Sequence, residues 1–96
     1  MSSLHTISHS QSSILLESCL RVISENDAIL FIEDGVYHCC SPFVLQTIGD
    51  SIRLYGLRED MLARATLAQL DDRVEAIDNA GFVQLCCSYD KVVSWF

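Results

Sequence analysis

The chain has 96 residues, half of them hydrophobic, and six Lys plus Arg against thirteen Asp plus Glu give a formal net charge of -7. That balance argues against direct binding of nucleic acid, where several Lys or Arg contacts to phosphate supply the affinity. No apolar stretch approaches the ~20 residues that a membrane span requires, so a single soluble domain over 1–96 is expected.

The N-terminus lacks a basic region followed by an apolar run, so no signal peptide is expected. A cytoplasmic protein is therefore expected, with its five cysteines reduced. The odd count also argues against a closed disulfide framework.

In chain order, Leu4 to Ser8 is a short strand, and the polar run Ser10 to Ser13 is suited to cap the next helix. Ile14 to Ile23 has helical period. Leu15, Leu16, Cys19, Leu20, Val22 and Ile23 share one side, with Glu17 and Arg21 as an i,i+4 pair on the other. Asn26 is a candidate left-handed residue ending the helix.

Ala28 to Ile32 is apolar on every position, so it reads as a strand buried on both faces at the centre of a sheet. Glu33, Asp34 and Gly35 close it, at the edge where open α/β sheets place their functional loops. Val36 to Cys40 allows one helical turn, and Pro42 suits the first turn of a short helix to Ile48. Ile52 to Leu57 is a third strand, and Glu59 to Ala65 a helix with Asp60 and Arg64 spaced i,i+4. A charged loop, Asp71 to Arg73, leads to a fourth strand, Val74 to Ile77. Asp78 is an N-cap for a helix with the stripe Phe82, Leu85, Cys86 and Tyr89, and Val92 to Phe96 is a strand or a docked tail. Strands alternating with helices predict a three-layer α/β/α domain with a four- or five-stranded, mostly parallel sheet.

The four glycines are not spaced as a phosphate loop, and HExxH, GxSxG and CxxC are all missing. Cys39 with Cys40, and Cys86 with Cys87, are adjacent pairs. Neighbouring Cα atoms lie about 3.8 Å apart, too close for a relaxed disulfide, and adjacent cysteines lack zinc-knuckle spacing. A site joining His38, Cys39 or Cys40 with Cys86 requires the fold to bring them together, and core packing is the plainer role for Cys86. Cys19 lies about 10 Å along its helix at ~1.5 Å per residue, past the reach of the helix dipole. A buried, inert thiol is therefore favoured over a reactive one. His5 and His9 read as structural or solvated. Glu33 and Asp34 read as capping acids rather than an acid–base pair.

The ordered segments Leu4-His5-Thr6, Leu16-Glu17-Ser18-Cys19-Leu20 and Asp34-Gly35-Val36-Tyr37 resemble the TusB/DsrH family. So do Leu54-Tyr55 with Leu57, Glu59-Asp60, Ala63-Arg64, Ile77-Asp78, Phe82-Val83 and the closing Trp95, together spanning almost the whole chain. The resemblance implies a DsrEFH-like parallel fold. It also implies assembly with TusC/DsrF-like and TusD/DsrE-like sister subunits as a dimer of heterotrimers. Persulfide sulfur would pass from a TusA-like donor to a TusE/DsrC-like acceptor and end as the 2-thio group of a tRNA wobble uridine.

In that family the sulfur-carrying cysteine belongs to the TusD/DsrE sister, so this chain is expected to be a structural subunit. It would have no catalytic residue, cofactor or metal of its own and no direct contact with nucleic acid or membrane. The alternative is a DsrH-type subunit of a sulfur-oxidation complex, with Cys19 as an accessory persulfide carrier. The chain departs from the family pattern at Ala65, where glycine often follows the arginine, and in the pairs Cys39–Cys40 and Cys86–Cys87.

Overall fold

A computed structural model describes residues 2–10 and 13–95, with the backbone alone for residue 13. Five parallel strands form one sheet in the order β4-β3-β2-β1-β5. The strands are β1 (Ser3–Ile7), β2 (Ala28–Phe31), β3 (Arg53–Leu57), β4 (Val74–Ile77) and β5 (Lys91–Trp95). The helices are α1 (Ser13–Val22), α2 (Pro42–Leu45), α3 (Arg58–Ala63) and α4 (Asn79–Ser88), with 3-10 segments at Glu33–Cys40 and Leu67–Gln69.

The uniformly apolar β2 sits at the middle of the sheet, and all four of its residues are buried. A strand covered on both faces has no polar side to present, which is why its sequence does not alternate. Its neighbours are set by parallel register, Leu4 beside Ala28 on one side and Leu54 beside Ile29 on the other.

The winding explains the layers. From β1 to β4 the chain steps one strand at a time in a single direction. Right-handed crossovers in one direction put their connections on one face of the sheet. Accordingly α1, both 3-10 segments, α2 and α3 all contribute to the cluster on that face, with Leu16, Cys19, Val36, Cys39, Leu45, Ile48 and Met61 packed over Ile7, Ile29, Phe31 and Leu54. After β4 the chain reverses and crosses to the far side of β1 as β5. That reversal puts α4 on the opposite face. There Phe82, Leu85, Cys86 and Tyr89 lie over Leu4, Ala28, Leu30 and Tyr55. The three layers and the parallel sheet agree with the sequence reading.

Several local expectations are corrected. Asn26 is not left-handed; among the described residues other than glycine, only Glu33 (φ 50°) and Ala65 (φ 55°) have positive φ. The turn before β2 is closed by Asp27 instead, whose N–H donates to the Ser24 carbonyl at 2.9 Å while its carboxylate accepts the Ser24 N–H at 3.1 Å. Val22 is exposed rather than in the core, because it lies off the side of α1 that carries Leu16 and Cys19. Glu17 and Arg21 do not pair, and the ion pairs of the described residues are built around His5 and Arg64. The cap expected from the run Ser10 to Ser13, like the placement of Phe96, lies outside the described residues. Asp78 does cap α4, accepting the Gly81 N–H at 2.8 Å.

Candidate functional site

At the carboxyl edge of the sheet, β2 runs directly into the 3-10 segment with Glu33 in the left-handed region. This strained turn is held by Asp60, whose carboxylate accepts the Glu33 N–H at 2.6 Å. Arg64 Nε donates to Asp34 at 2.8 Å, and its guanidinium lies 3.8 Å from Asp60. Asp34 and Asp60 thus share one cation across the turn; neither Glu33 nor Asp34 is the cap expected from the sequence, because the capping position falls on Ile32. Gly35 is required by close approach: a Cβ there would stand 2.0 Å from the Ile7 carbonyl oxygen. The motif Asp34-Gly35-Val36-Tyr37 therefore docks the 3-10 segment on the end of β1, and Tyr37 remains exposed above it.

The cysteines are divided between the two faces. Cys19 and Cys39 are fully buried in the first cluster, whereas Cys86 packs against the second. His38, Cys39 and Cys40 are therefore not brought to Cys86; the sheet lies between them. Among the described residues no three His, Cys, Asp and Glu side chains gather so as to hold a metal ion.

Burial pushes the Cys19 thiol up to about 12, with the Asp27 carboxylate adding to the effect. Burial likewise raises Cys39 to about 12, reinforced by the neighbouring Cys40. A thiol so placed stays protonated at neutral pH, and the thiolate is the nucleophile. Cys40 is half-buried, with its Sγ 3.5 Å from the Thr66 carbonyl, and burial raises it also. Cys87 is exposed on α4.

The buried polar groups form two local structures that residue spacing did not suggest. His38 is enclosed beside Phe31, its Nε2 2.9 Å from the His9 carbonyl, and burial lowers its pKa against the raising effect of that bond. More extended is a chain of three side chains beneath the junction of β1 and β5. The Trp95 indole N–H donates to His5 Nδ1 at 3.1 Å, and His5 Nε2 lies 2.9 Å from the Asp27 carboxylate. An indole nitrogen can only donate, so Nδ1 is the acceptor and Nε2 carries the ring proton toward Asp27. Asp27 also accepts the N–H groups of Ser3 and Ser24. Burial acts to raise its pKa, but these bonds bring it below the usual carboxylate value. The opening and closing family segments, Leu4-His5-Thr6 and Trp95, meet here. The sequence signals available were an acid directly before an apolar run and a histidine inside a buried strand.

Arg73 is a second residue whose role sequence reading missed. Assigned to a charged loop, it instead donates to the carbonyls of Leu45, Ile48, Gly49 and Ile52, fastening the turn after α2 to the start of β3.

Sheet order, winding and the single reversed crossover define a small five-stranded parallel α/β protein of a type already seen in solved structures. The ychN protein of Escherichia coli matches with a TM-score of 0.73 at 17% identity, over 98% of this chain and 97% of that one. The Thermotoga maritima protein Tm0979 matches with a TM-score of 0.67 at 19% identity, over 90% of this chain and 92% of that one. At such identities these likenesses define the fold.

The family is established by sequence. Residues 8–92 match the model of the DsrH-like proteins. Proteins named TusB from Salmonella dublin and Salmonella typhimurium are each 35% identical over 94 residues, covering 96% of this chain and 99% of theirs. The chain belongs to the DsrH-like family, which includes the TusB proteins, and thereby, at the general level of that family, to the sulfur-relay subunits of tRNA modification.

Proposed function

We propose that the chain is a structural, non-sulfur-carrying subunit of a cytoplasmic persulfide relay that serves 2-thiolation of the tRNA wobble uridine. Its partners in this reading are a TusC-like and a TusD-like sister in a dimer of heterotrimers. A TusA-like donor and a TusE-like acceptor exchange sulfur with the complex rather than with this chain. The observation that carries the reading is the DsrH-like match over residues 8–92, with TusB relatives aligned over nearly their full length.

Three features support the assignment of a structural role. The two most enclosed thiols, Cys19 and Cys39, are held protonated by burial. Beyond β2, the carboxyl edge of the sheet carries an ion-paired turn around Asp34, Asp60 and Arg64. A charge of -7 disfavours contact with tRNA. Among the described residues no helix is long and apolar enough to cross a membrane.

Co-expression with the two sister proteins, followed by size-exclusion chromatography and native mass spectrometry, tests the assembly. A stable heteromer containing all three chains is expected. A chain that stays monomeric beside both sisters overturns the proposal. Within the reconstituted complex, Cys19→Ala is expected to leave sulfur transfer unchanged, and loss of transfer with the complex intact would point to the accessory-carrier role instead.

A further inference from the structure

We propose that His5 is a proton-operated latch on Trp95: with Nδ1 unprotonated it holds the indole in place, and protonation of Nδ1 releases the indole and loosens the carboxyl end of β5. The inference is independent of the sulfur-relay reading.

The geometry allows only one docked arrangement. Trp95 Nε1 has a hydrogen to give and nothing to accept with, so His5 Nδ1 must offer its lone pair. The ring proton then resides on Nε2, facing the Asp27 carboxylate. A second proton, taken from solvent, has only Nδ1 to occupy, and there it puts N–H against N–H at a separation of 3.1 Å. Asp27 does not take that proton. It is held as a carboxylate by the N–H groups of Ser3 and Ser24 as well as by His5, so it supports the imidazolium while Trp95 opposes it. Opposite demands from the two neighbours are what couple protonation to release.

Among the described residues, the carboxylate paired with His5 is that of Asp27, and the Tyr89 hydroxyl at the end of α4 is a titratable group on which Asp27 acts. From α1 the nearby titratable group is the Cys19 thiol, which stays protonated near neutral pH. From the 3-10 segment His38 turns to the His9 carbonyl and the Phe31 ring instead. The two rings of the latch lie offset and nearly parallel, with centroids 6.2 Å apart at 28°. Sharing an N–H···N bond, they meet side by side, so the indole face is not offered to the cation.

β5 is the element such a latch would control. Among the described residues it is an edge strand paired only to β1. Beyond its backbone ladder, its carboxyl end is tied by a 3.2 Å Thr6–Ser94 hydroxyl contact and a 3.5 Å bond from Ser8 to the Trp95 carbonyl. The indole is the large group joining this end to the core cluster of the first face.

Trp95 is the single tryptophan of the chain, so its fluorescence reports the latch directly. Emission and acrylamide quenching are to be followed between about pH 8 and pH 5, the range in which imidazoles change charge. A reversible red shift and a severalfold rise in quenching on acidification are expected. In His5→Asn the amide oxygen stands in for Nδ1 and cannot titrate, so both signals are expected to hold their docked values throughout. A flat wild-type profile, or a step that survives in His5→Asn, overturns the proposal. Should that variant fail to fold, ¹⁵N NMR of the wild-type chain decides. The His5 Nδ1 and Trp95 indole resonances are expected to move with one midpoint, and an indole resonance unmoved while Nδ1 titrates overturns the latch.

Discussion

The two faces of the sheet are built on different principles. The first face carries three successive crossovers, and its core cluster includes Cys19, Cys39, Phe31 and Met61, all fully enclosed. The opposite face carries only the reversed crossover, α4, and no residue of that helix is buried. The outward side of α4 leaves Val83 63% exposed and Cys87 open to solvent. The difference arises from winding rather than composition. A chain that steps in one direction and reverses once places three connections on one face and one on the other. Chemistry follows topology in part: the two fully enclosed thiols lie on the first face, while the second carries the half-buried Cys86, also raised by burial, and the exposed Cys87.

Substitutions at glycines should separate the faces most sharply. Gly35→Ala drives a methyl into the Ile7 backbone carbonyl, which cannot move aside as a side chain can. A loss of about 3 kcal/mol is expected by urea unfolding. The same change at Gly81, in the first turn of α4, meets only side-chain atoms, Ile77 at 3.1 Å and Asp78 at 3.4 Å. It should stay within about 0.5 kcal/mol, because helix propensity offsets the tight contact. Equal losses at the two positions would erase the contrast.

Next in size is Arg73→Ala. Four carbonyls lose a charged donor together, and a loss of about 2 kcal/mol is expected. Arg73→Lys should recover only part of it, since a point charge cannot reach four acceptors.

The thiols give a graded test. Under native conditions iodoacetamide should modify Cys87 first, with Cys19 and Cys39 protected until the chain opens, as read by peptide mass spectrometry. The same burial has a pH consequence. Both buried thiols are raised in the folded state, so their contribution is fully present below the ordinary thiol range and is lost as pH rises through it toward about 12. Denaturation midpoints should therefore fall on the alkaline side, and Cys19→Ala should flatten that fall.

A further expected effect is a gain. Ala65 adopts φ 55°, where a Cβ is disfavoured, so Ala65→Gly should stabilise by about 0.5–1 kcal/mol in thermal unfolding. The resemblance read from the sequence implies glycine here, so that departure coincides with a strained backbone.

What was legible in the sequence was local or compositional. The central place of β2 could be read from its lack of a polar face, β4 from its flanking charges, and the α4 cap from Asp78. The parallel sheet could be read from the alternation of strands and helices. What was not legible depends on parallel register and on the reversal of winding. Those bring Trp95 to His5 across 90 positions and Asp27 to His5 across 22, distances at which no spacing rule operates. Arg73 looked like loop charge because its partners are backbone carbonyls, which leave no trace in residue identity. The separation of Cys39 from Cys86 likewise became visible only once α4 was placed beneath the sheet.

The central claim is that this chain organises a relay without carrying its sulfur. The most direct measurement is peptide mass spectrometry of the three-subunit complex after incubation with a persulfide donor, quenched by thiol alkylation. An added sulfur atom is expected on a cysteine of the TusD-like sister and none on Cys19, Cys39, Cys40, Cys86 or Cys87. Stoichiometric added sulfur on Cys19 that is discharged by the acceptor protein would contradict it.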